Sequence, residues 1–378
     1  MNIFETTLSQ LEATGNLRKI PCASIDFKLD LSSNDYLGLA SDWKKFLPEF
    51  LEKFPEAGFS SSASRLLSRR QDFFFELESV LDSLYKKKTL LFNSGYHANV
   101  GLISALAQIS STLFVCDKLV HASVIDGLKM ADANFKRFPH NDIEALCKIL
   151  GKESHHYSTL IIVAESVYSM EGDTVPLHEI TKLKKIYPGV KIYLDEAHAF
   201  GVRGTRGLGF AEESGLIDDV DFLIGTFGKA AASTGAFVAA EENAVNYFVN
   251  KSRALIFSTA LPPVNVAWSL FMIDKIINMR EERLYLKEIS EVINSFIEEI
   301  TNKKNPSESQ IFPLVTGDSF QALNISKRMR EDYGIIGMPI RRPTVPPGKE
   351  CVRLSLSASL TRKEIEYLKL ALIHILNS

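Results

Sequence analysis

Cysteine is scarce in this chain. Cys22, Cys116, Cys147 and Cys351 are scattered over 378 residues with no Cys-x-x-Cys pair, which argues against a zinc-ribbon site or a dense disulfide framework and suits four reduced thiols. Long apolar runs are also missing, since none reaches the roughly 20 residues of a membrane-spanning helix. The opening Met1-Asn-Ile-Phe-Glu lacks the basic and apolar regions of a secretion signal, so a cytoplasmic protein with no membrane association is expected. There is no surplus of positive charge. Forty-three Lys and Arg against 46 Asp and Glu give a formal net charge of -3, and nucleic acid is not an expected partner. The phosphate-cradling loop of P-loop nucleotidases is absent as well: Gly228-Lys229 runs into Ala230 with Leu223 five positions before the glycine, and Gly151-Lys152 and Gly348-Lys349 are each followed by Glu. Without that loop, Asp195-Glu196-Ala197-His198 does not read as a helicase box.

What remains reads as chemistry at strand ends. Lys191-Ile-Tyr-Leu-Asp195 is a buried strand that delivers Asp195 and then His198 at its C-terminal end, where open α/β sheets bind ligands. A second apolar strand, Phe222 to Ile224, breaks at glycines and presents Lys229. Pyridoxal phosphate (PLP) needs a lysine amine to hold it as a Schiff base, and a carboxylate to keep its ring nitrogen protonated. Lys229 and Asp195 fit those two tasks; no metal is expected.

The pattern along the chain alternates strand and helix. Leu8 to Ala13 reads as helix and Ile25 to Leu31 as a short strand. Strands at Leu90–Phe92, Leu113–Cys116 and Leu160–Ala164 are followed by helices starting near Tyr96, Ala122 and Leu177. This rhythm predicts a mostly parallel sheet with helices on both faces. From Pro262 a long helical stretch runs through Ile276 and Leu284 to Ile300, ahead of a smaller α/β segment with strands near Phe312–Val315 and Val352–Ser357 and a last helix near Lys363–Ile375. The expected division is an N-terminal segment 1–40, a large cofactor-binding domain 41–255, and a linking helix with a small C-terminal domain 256–378.

Seven blocks in one register carry a resemblance: Ser33-Asn-Asp-Tyr-Leu-Gly38, Ser94-Gly95-Tyr96, Asp117 to Ser123, Glu165 to Asp173, Asp195 to His198, Thr226-Phe-Gly-Lys229, and Phe257 to Pro263. Together they resemble the α-oxoamine synthases, fold-type I PLP enzymes that condense an amino acid with an acyl thioester and lose carbon dioxide. Ile340 to Pro346 followed by Val352 to Ser357 is most similar to the family's biotin-pathway member, which uses alanine and a pimeloyl thioester.

The resemblance implies a role for each matched residue. Lys229 forms the Schiff base and moves protons at the substrate Cα, Asp195 pairs with the ring nitrogen, His121 stacks on the ring, and His198 and Ser169 lie near the phenolic oxygen. Ser94, Gly95, Tyr96 and Thr226 receive the phosphate, with backbone N–H groups at a helix N-terminus suited to an anion. Ser258 and Thr259 reach the phosphate of a neighbouring subunit, which implies a homodimer with shared sites. Arg353 grips the amino acid's carboxylate through its planar fork, with Asn34, Arg18 and Thr344 as further substrate contacts. Glu165 orders its loop.

Three stretches depart from the family pattern, one of them the short segment between Arg18 and Asn34. Ser60 to Arg65 replaces a glycine-rich loop, and Ala230-Ala231-Ala232-Ser233-Thr234-Gly235 after the lysine is less glycine-rich than the usual run. Positive-φ backbone is expected to be less freely available at Ser60 to Arg65, and the departures bear on acyl specificity more than on cofactor chemistry. Glycine with acetyl-CoA or succinyl-CoA, a long-chain acyl partner, an aminotransferase, and a catalytically silent structural homologue are the competing readings.

Overall fold

The computed structural model describes residues 3–20, 26–69 and 71–376. In chain order its strands are β1 (Leu29–Asp30), β2 (Lys88–Phe92), β3 (Thr112–Asp117), β4 (Phe135–Phe138), β5 (Thr159–Glu165), β6 (Val190–Asp195), β7 (Phe222–Thr226), β8 (Ala236–Ala240), β9 (Ile311–Val315), β10 (Ile335–Ile336), β11 (Met338–Ile340) and β12 (Cys351–Ser355). They belong to two compact units. The larger comprises residues 37–168 and 174–283; the other comprises 1–36, 169–173 and 284–378.

The larger unit is built on a seven-stranded sheet of order β2-β8-β7-β6-β5-β3-β4. β8 runs antiparallel to both its neighbours, while β3 pairs parallel with β4 and β5, and β6 pairs parallel with β5 and β7. β3 is buried along its whole length and β5 along all but its first residue. Their near-continuous apolar runs are what a parallel sheet covered on both faces requires. The expected mostly parallel sheet is therefore present. β4 and β8 went unread, because β4 is exposed at three of its four residues and β8 is largely alanine. All parallel strands end at one edge, so Asp117, Glu165, Asp195 and Thr226 share it, with Glu165 and Asp195 in register.

The smaller unit holds a three-stranded antiparallel sheet, β11-β12-β9, and the parallel pair β1–β10. Of the expected strand at 25–31, Leu29–Asp30 forms the strand, with Lys28 and Leu31 adding backbone hydrogen bonds to Gly334 and Ile336, and position 25 lies outside the described residues. The division differs from the expected one near 255. The helix Pro263–Asn278 buries Val266, Ala267, Leu270 and Phe271 within the larger unit, so the break falls after Arg283. The helical stretch expected to run to Ile300 is two helices, Pro263–Asn278 and Arg280–Thr301, separated at Met279. Residues 169–173 group with the smaller unit because Gly172 packs on the chain at Ile311: a Cβ there would sit 2.2 Å from the Ile311 carbonyl oxygen, and its φ of +72° suits glycine.

Candidate cofactor and substrate site

In the larger unit, the end of β6 holds Asp195 at 6% exposure. One carboxylate oxygen accepts the Ala197 N–H at 2.9 Å and the other accepts the Asn99 amide at 2.8 Å, which fixes the plane of the group. Three residues on, buried His198 places its Nε2 2.7 Å from Lys229 Nζ. The lysine amine can donate a hydrogen bond and His198 Nε2 can accept it, which fixes the position of the amine. The two loops meet closely: Gly201 has a φ of +84°, and a Cβ there would lie 2.6 Å from the Ala230 Cβ. Only glycine permits that approach beside the lysine.

The helix Gly95–Leu106 starts beyond β2. Ser94 caps it, its hydroxyl accepting from the His97 N–H at 3.2 Å. The first N–H groups of a helix, here those of Gly95 and Tyr96, have no intrahelical acceptor and lie at the positive end of the helix dipole. Thr226 adjoins this turn, since a Cβ on Gly95 would lie 3.8 Å from its hydroxyl oxygen. That hydroxyl donates to the Gly235 carbonyl and accepts from the Gly228 N–H. The Tyr96 phenol donates to Asp126 at 2.8 Å. Asn93 holds Ser258 Oγ at 3.0 Å and the Thr259 carbonyl at 2.7 Å, so these two residues lie beside the same turn of their own chain.

His121 caps the helix Ala122–Met130, and its Nδ1 lies 2.7 Å from Ser123 Oγ. Its pKa lies below the ordinary value, chiefly through burial; Lys229 acts in the same direction and Asp195 and Asp126 against it. Asp117 anchors the loop before it by accepting from the Leu119 and Asn141 N–H groups, with His140 Nδ1 at 3.0 Å. Glu196, next to Asp195, is fully buried and accepts the N–H groups of Phe210 and Ala211 at 2.9 and 2.8 Å. Burial pushes its carboxyl up to about 7.

In the smaller unit, Arg353 on β12 is 5% exposed. Its Nε donates to the Ser169 carbonyl at 2.7 Å and Nη1 donates to Ser355 Oγ at 2.9 Å, while both terminal nitrogens donate to Asn34 Oδ1 at 3.2 Å. Every one of these acceptors is neutral. Among the described residues no carboxylate pairs with this guanidinium, although buried charges are ordinarily paired. Arg18 donates to the Thr344 hydroxyl at 2.9 Å, and Arg341 to the Gly15 and Leu17 carbonyls. The structure thus brings Lys229, Asp195 and His198 together, sets Ser94, Gly95 and Thr226 at one turn, and joins Arg353 to Asn34 and Ser169 and Arg18 to Thr344. Asn99, Ser123 and Glu196 were not given roles from the sequence; Ser123 and Glu196 lay inside recognised blocks, but a lone Asn within an apolar helix carries no motif.

The model of the family "aminotransferase class I and II" matches residues 27–372. The putative 8-amino-7-oxononanoate synthase of Pasteurella multocida is 42% identical over 96% of both chains. The 8-amino-7-oxononanoate synthase of Haemophilus ducreyi is 42% identical over 97% of this chain and 98% of its own. The chain belongs to that family, in its α-oxoamine synthase branch. Among solved structures, a serine palmitoyltransferase from S. paucimobilis with a bound PLP–myriocin aldimine superposes with a TM-score of 0.88 at 26% identity, covering 99% and 98% of the two chains. An 8-amino-7-oxononanoate synthase from Francisella tularensis gives 0.75 at 26% identity, over 92% and 98%. The fold is that of the fold-type I PLP transferases, and the cofactor of the family is PLP. The residues here suit it: a primary amine, a buried oriented carboxylate, and unpaired helix N–H groups beside a hydroxyl.

Both glycine-poor stretches nevertheless contain a positive-φ residue. Ser62 and Ala232 have φ of +48° and +49°, so both departures from glycine still adopt the left-handed conformation, at a cost of about 1–2 kcal/mol each.

Proposed function

We propose that this chain condenses L-alanine with a pimeloyl thioester, releasing carbon dioxide and forming 8-amino-7-oxononanoate, a step of biotin synthesis in the cytoplasm. The observation that carries it is the pairing of the Lys229–His198–Asp195 constellation with full-length likeness to synthases of that name. Bound PLP supplies an electron sink for negative charge developing at the amino acid's Cα.

The chain's own residues do the rest. Lys229 holds the cofactor through its ε-amine and, once freed, takes and returns the proton at the substrate Cα. His198 orients that amine across the 2.7 Å contact. Asp195, held in one orientation by Asn99 and Ala197, keeps the ring nitrogen protonated. His121 covers a ring face, and Ser94, Gly95, Tyr96 and Thr226 receive the phosphate. Arg353 takes the amino acid's carboxylate, displacing the 3.2 Å contacts of Asn34, which are longer than the 2.7–2.9 Å of charge-assisted bonds. Arg18 with Thr344 offers donors to the acyl partner's distal oxygen.

The active form is a homodimer in which Ser258 and Thr259 complete the partner's phosphate site. Exposed Phe257 lies next to them, and the hydrogen-bonded segment at 58–63 carries Phe59 at 86% exposure, apolar surface of the kind that marks an interface. Borohydride reduction of the yellow protein, followed by peptide mapping, tests the lysine: label on Lys229 supports the reading, and label on another lysine rejects it. Mixing Lys229→Ala with a double Ser258, Thr259 variant tests sharing. Hybrid dimers regain activity if sites are shared, and show none after confirmed subunit exchange if they are not.

A further inference from the structure

Asn99 sits in the middle of the helix Gly95–Leu106 at 1% exposure. Asparagine has no helical advantage there, so its buried carboxamide must be satisfied by specific partners. Its Nδ2 donates to Asp195 Oδ2 at 2.8 Å and to Ser123 Oγ at 2.9 Å, while its Oδ1 accepts from the Tyr193 hydroxyl at 2.6 Å. The direction of these bonds is forced. A carboxylate only accepts, so the NH2 must face Asp195, and both of its protons are then committed. Ser123 Oγ, having accepted from Asn99, has its own proton to give, and His121 Nδ1 lies 2.7 Å away. The Ser123 backbone N–H points at the same ring nitrogen at 3.3 Å. Two donors converge on Nδ1, which leaves the ring proton on Nε2.

We propose that Asn99 is a positioning residue whose carboxamide ties the Asp195 carboxylate and, through Ser123, the His121 ring into one network that holds the imidazole as the neutral Nε2–H tautomer. Tyr193, fully buried and with its phenol pushed well above the ordinary range by burial, stays protonated and closes the network. Asp195 and Asp126 face the ring and favour its charged form; Lys229 and burial oppose them. An uncharged ring matters because an imidazolium would repel the protonated cofactor ring it covers. The inference rests on the proposed roles of His121 and Asp195, and it gives one amide control over both.

Histidine ring nitrogens report the tautomer directly. The full chain, labelled with 15N-histidine and prepared with and without PLP, is measured by long-range 1H–15N correlation, with His121 assigned by its loss in His121→Gln. The expected result at pH 7.5 is the Nε2–H pattern, already present without cofactor. Ser123→Ala and Asn99→Ala should each raise the combined Nδ1–H and imidazolium population about tenfold, the scale of one lost hydrogen bond. Nδ1–H or imidazolium in the unaltered chain overturns the proposal, as does an unchanged ring signal in Ser123→Ala, which decides alone if Asn99→Ala does not fold. A correct tautomer with His121 signals unmoved by PLP would instead reject the cofactor-facing role while leaving the network standing.

Discussion

Replacing Arg353 separates a substrate clamp from a structural ion pair. The guanidinium is buried, and its bonds to Ser169, Ser355 and Asn34 are all to neutral acceptors. A substrate carboxylate would add two charge-assisted bonds worth about 1.5–3 kcal/mol each, less what is lost by displacing Asn34. The net is about 2–4 kcal/mol, so Arg353→Met should lower kcat/KM for the amino acid roughly 30- to 1,000-fold. Arg353→Lys keeps the charge without the fork and should recover part of that loss. The assay is steady-state kinetics with each substrate varied in turn, read beside Tm. Binding of ethylamine, which has no carboxylate, should be unaffected. Equal losses for amino acid and thioester that track a falling Tm would refute the reasoning.

Other consequences concern stability and pH. Burial raises the Glu196 carboxyl from the ordinary 4.5 to about 7, so the folded state binds more protons than the unfolded in that window. The stability it contributes is full below pH 4.5 and is lost as pH rises through about 7, a change on the order of 3 kcal/mol. Glu196→Gln should flatten the fall in Tm between pH 5 and 8, and an unchanged slope would contradict this. Gly201→Ala combines a φ of +84° with a 2.6 Å approach to Ala230 and should cost about 2–4 kcal/mol in urea denaturation. Ala232→Gly relieves a left-handed alanine at φ +49°; after the entropy cost of glycine it should stabilise by about 0.5–1 kcal/mol, and a lower midpoint would count against the strain.

Strand ends were legible because buried parallel strands are apolar runs that stop at polar residues, as β6 does at Asp195 and β7 at Thr226. β4 and β8 were not: an exposed edge strand and a run of alanines carry little periodic signal. The break at Met279 lies within a pattern that is helical on both sides, so only packing reveals it. The grouping of residues 169–173 with the smaller unit depends on a close backbone approach at Gly172, which no local pattern encodes. Asn99 was invisible for the same reason. Its meaning lies in Asp195, Ser123 and Tyr193, which are distant in sequence and adjacent only in the fold.

Substrate choice is tested most directly by carbon dioxide release. Purified enzyme is given carboxyl-labelled glycine, alanine or serine against acetyl, succinyl, pimeloyl and palmitoyl thioesters, and labelled carbon dioxide is followed with the 2-amino ketone product. Alanine and glycine differ by one methyl, worth only about 1–3 kcal/mol, so some turnover with glycine is expected. The account predicts release that depends on the thioester and is fastest for alanine with the pimeloyl thioester. A clear preference for glycine with acetyl-CoA, or for serine with the palmitoyl thioester, would contradict it.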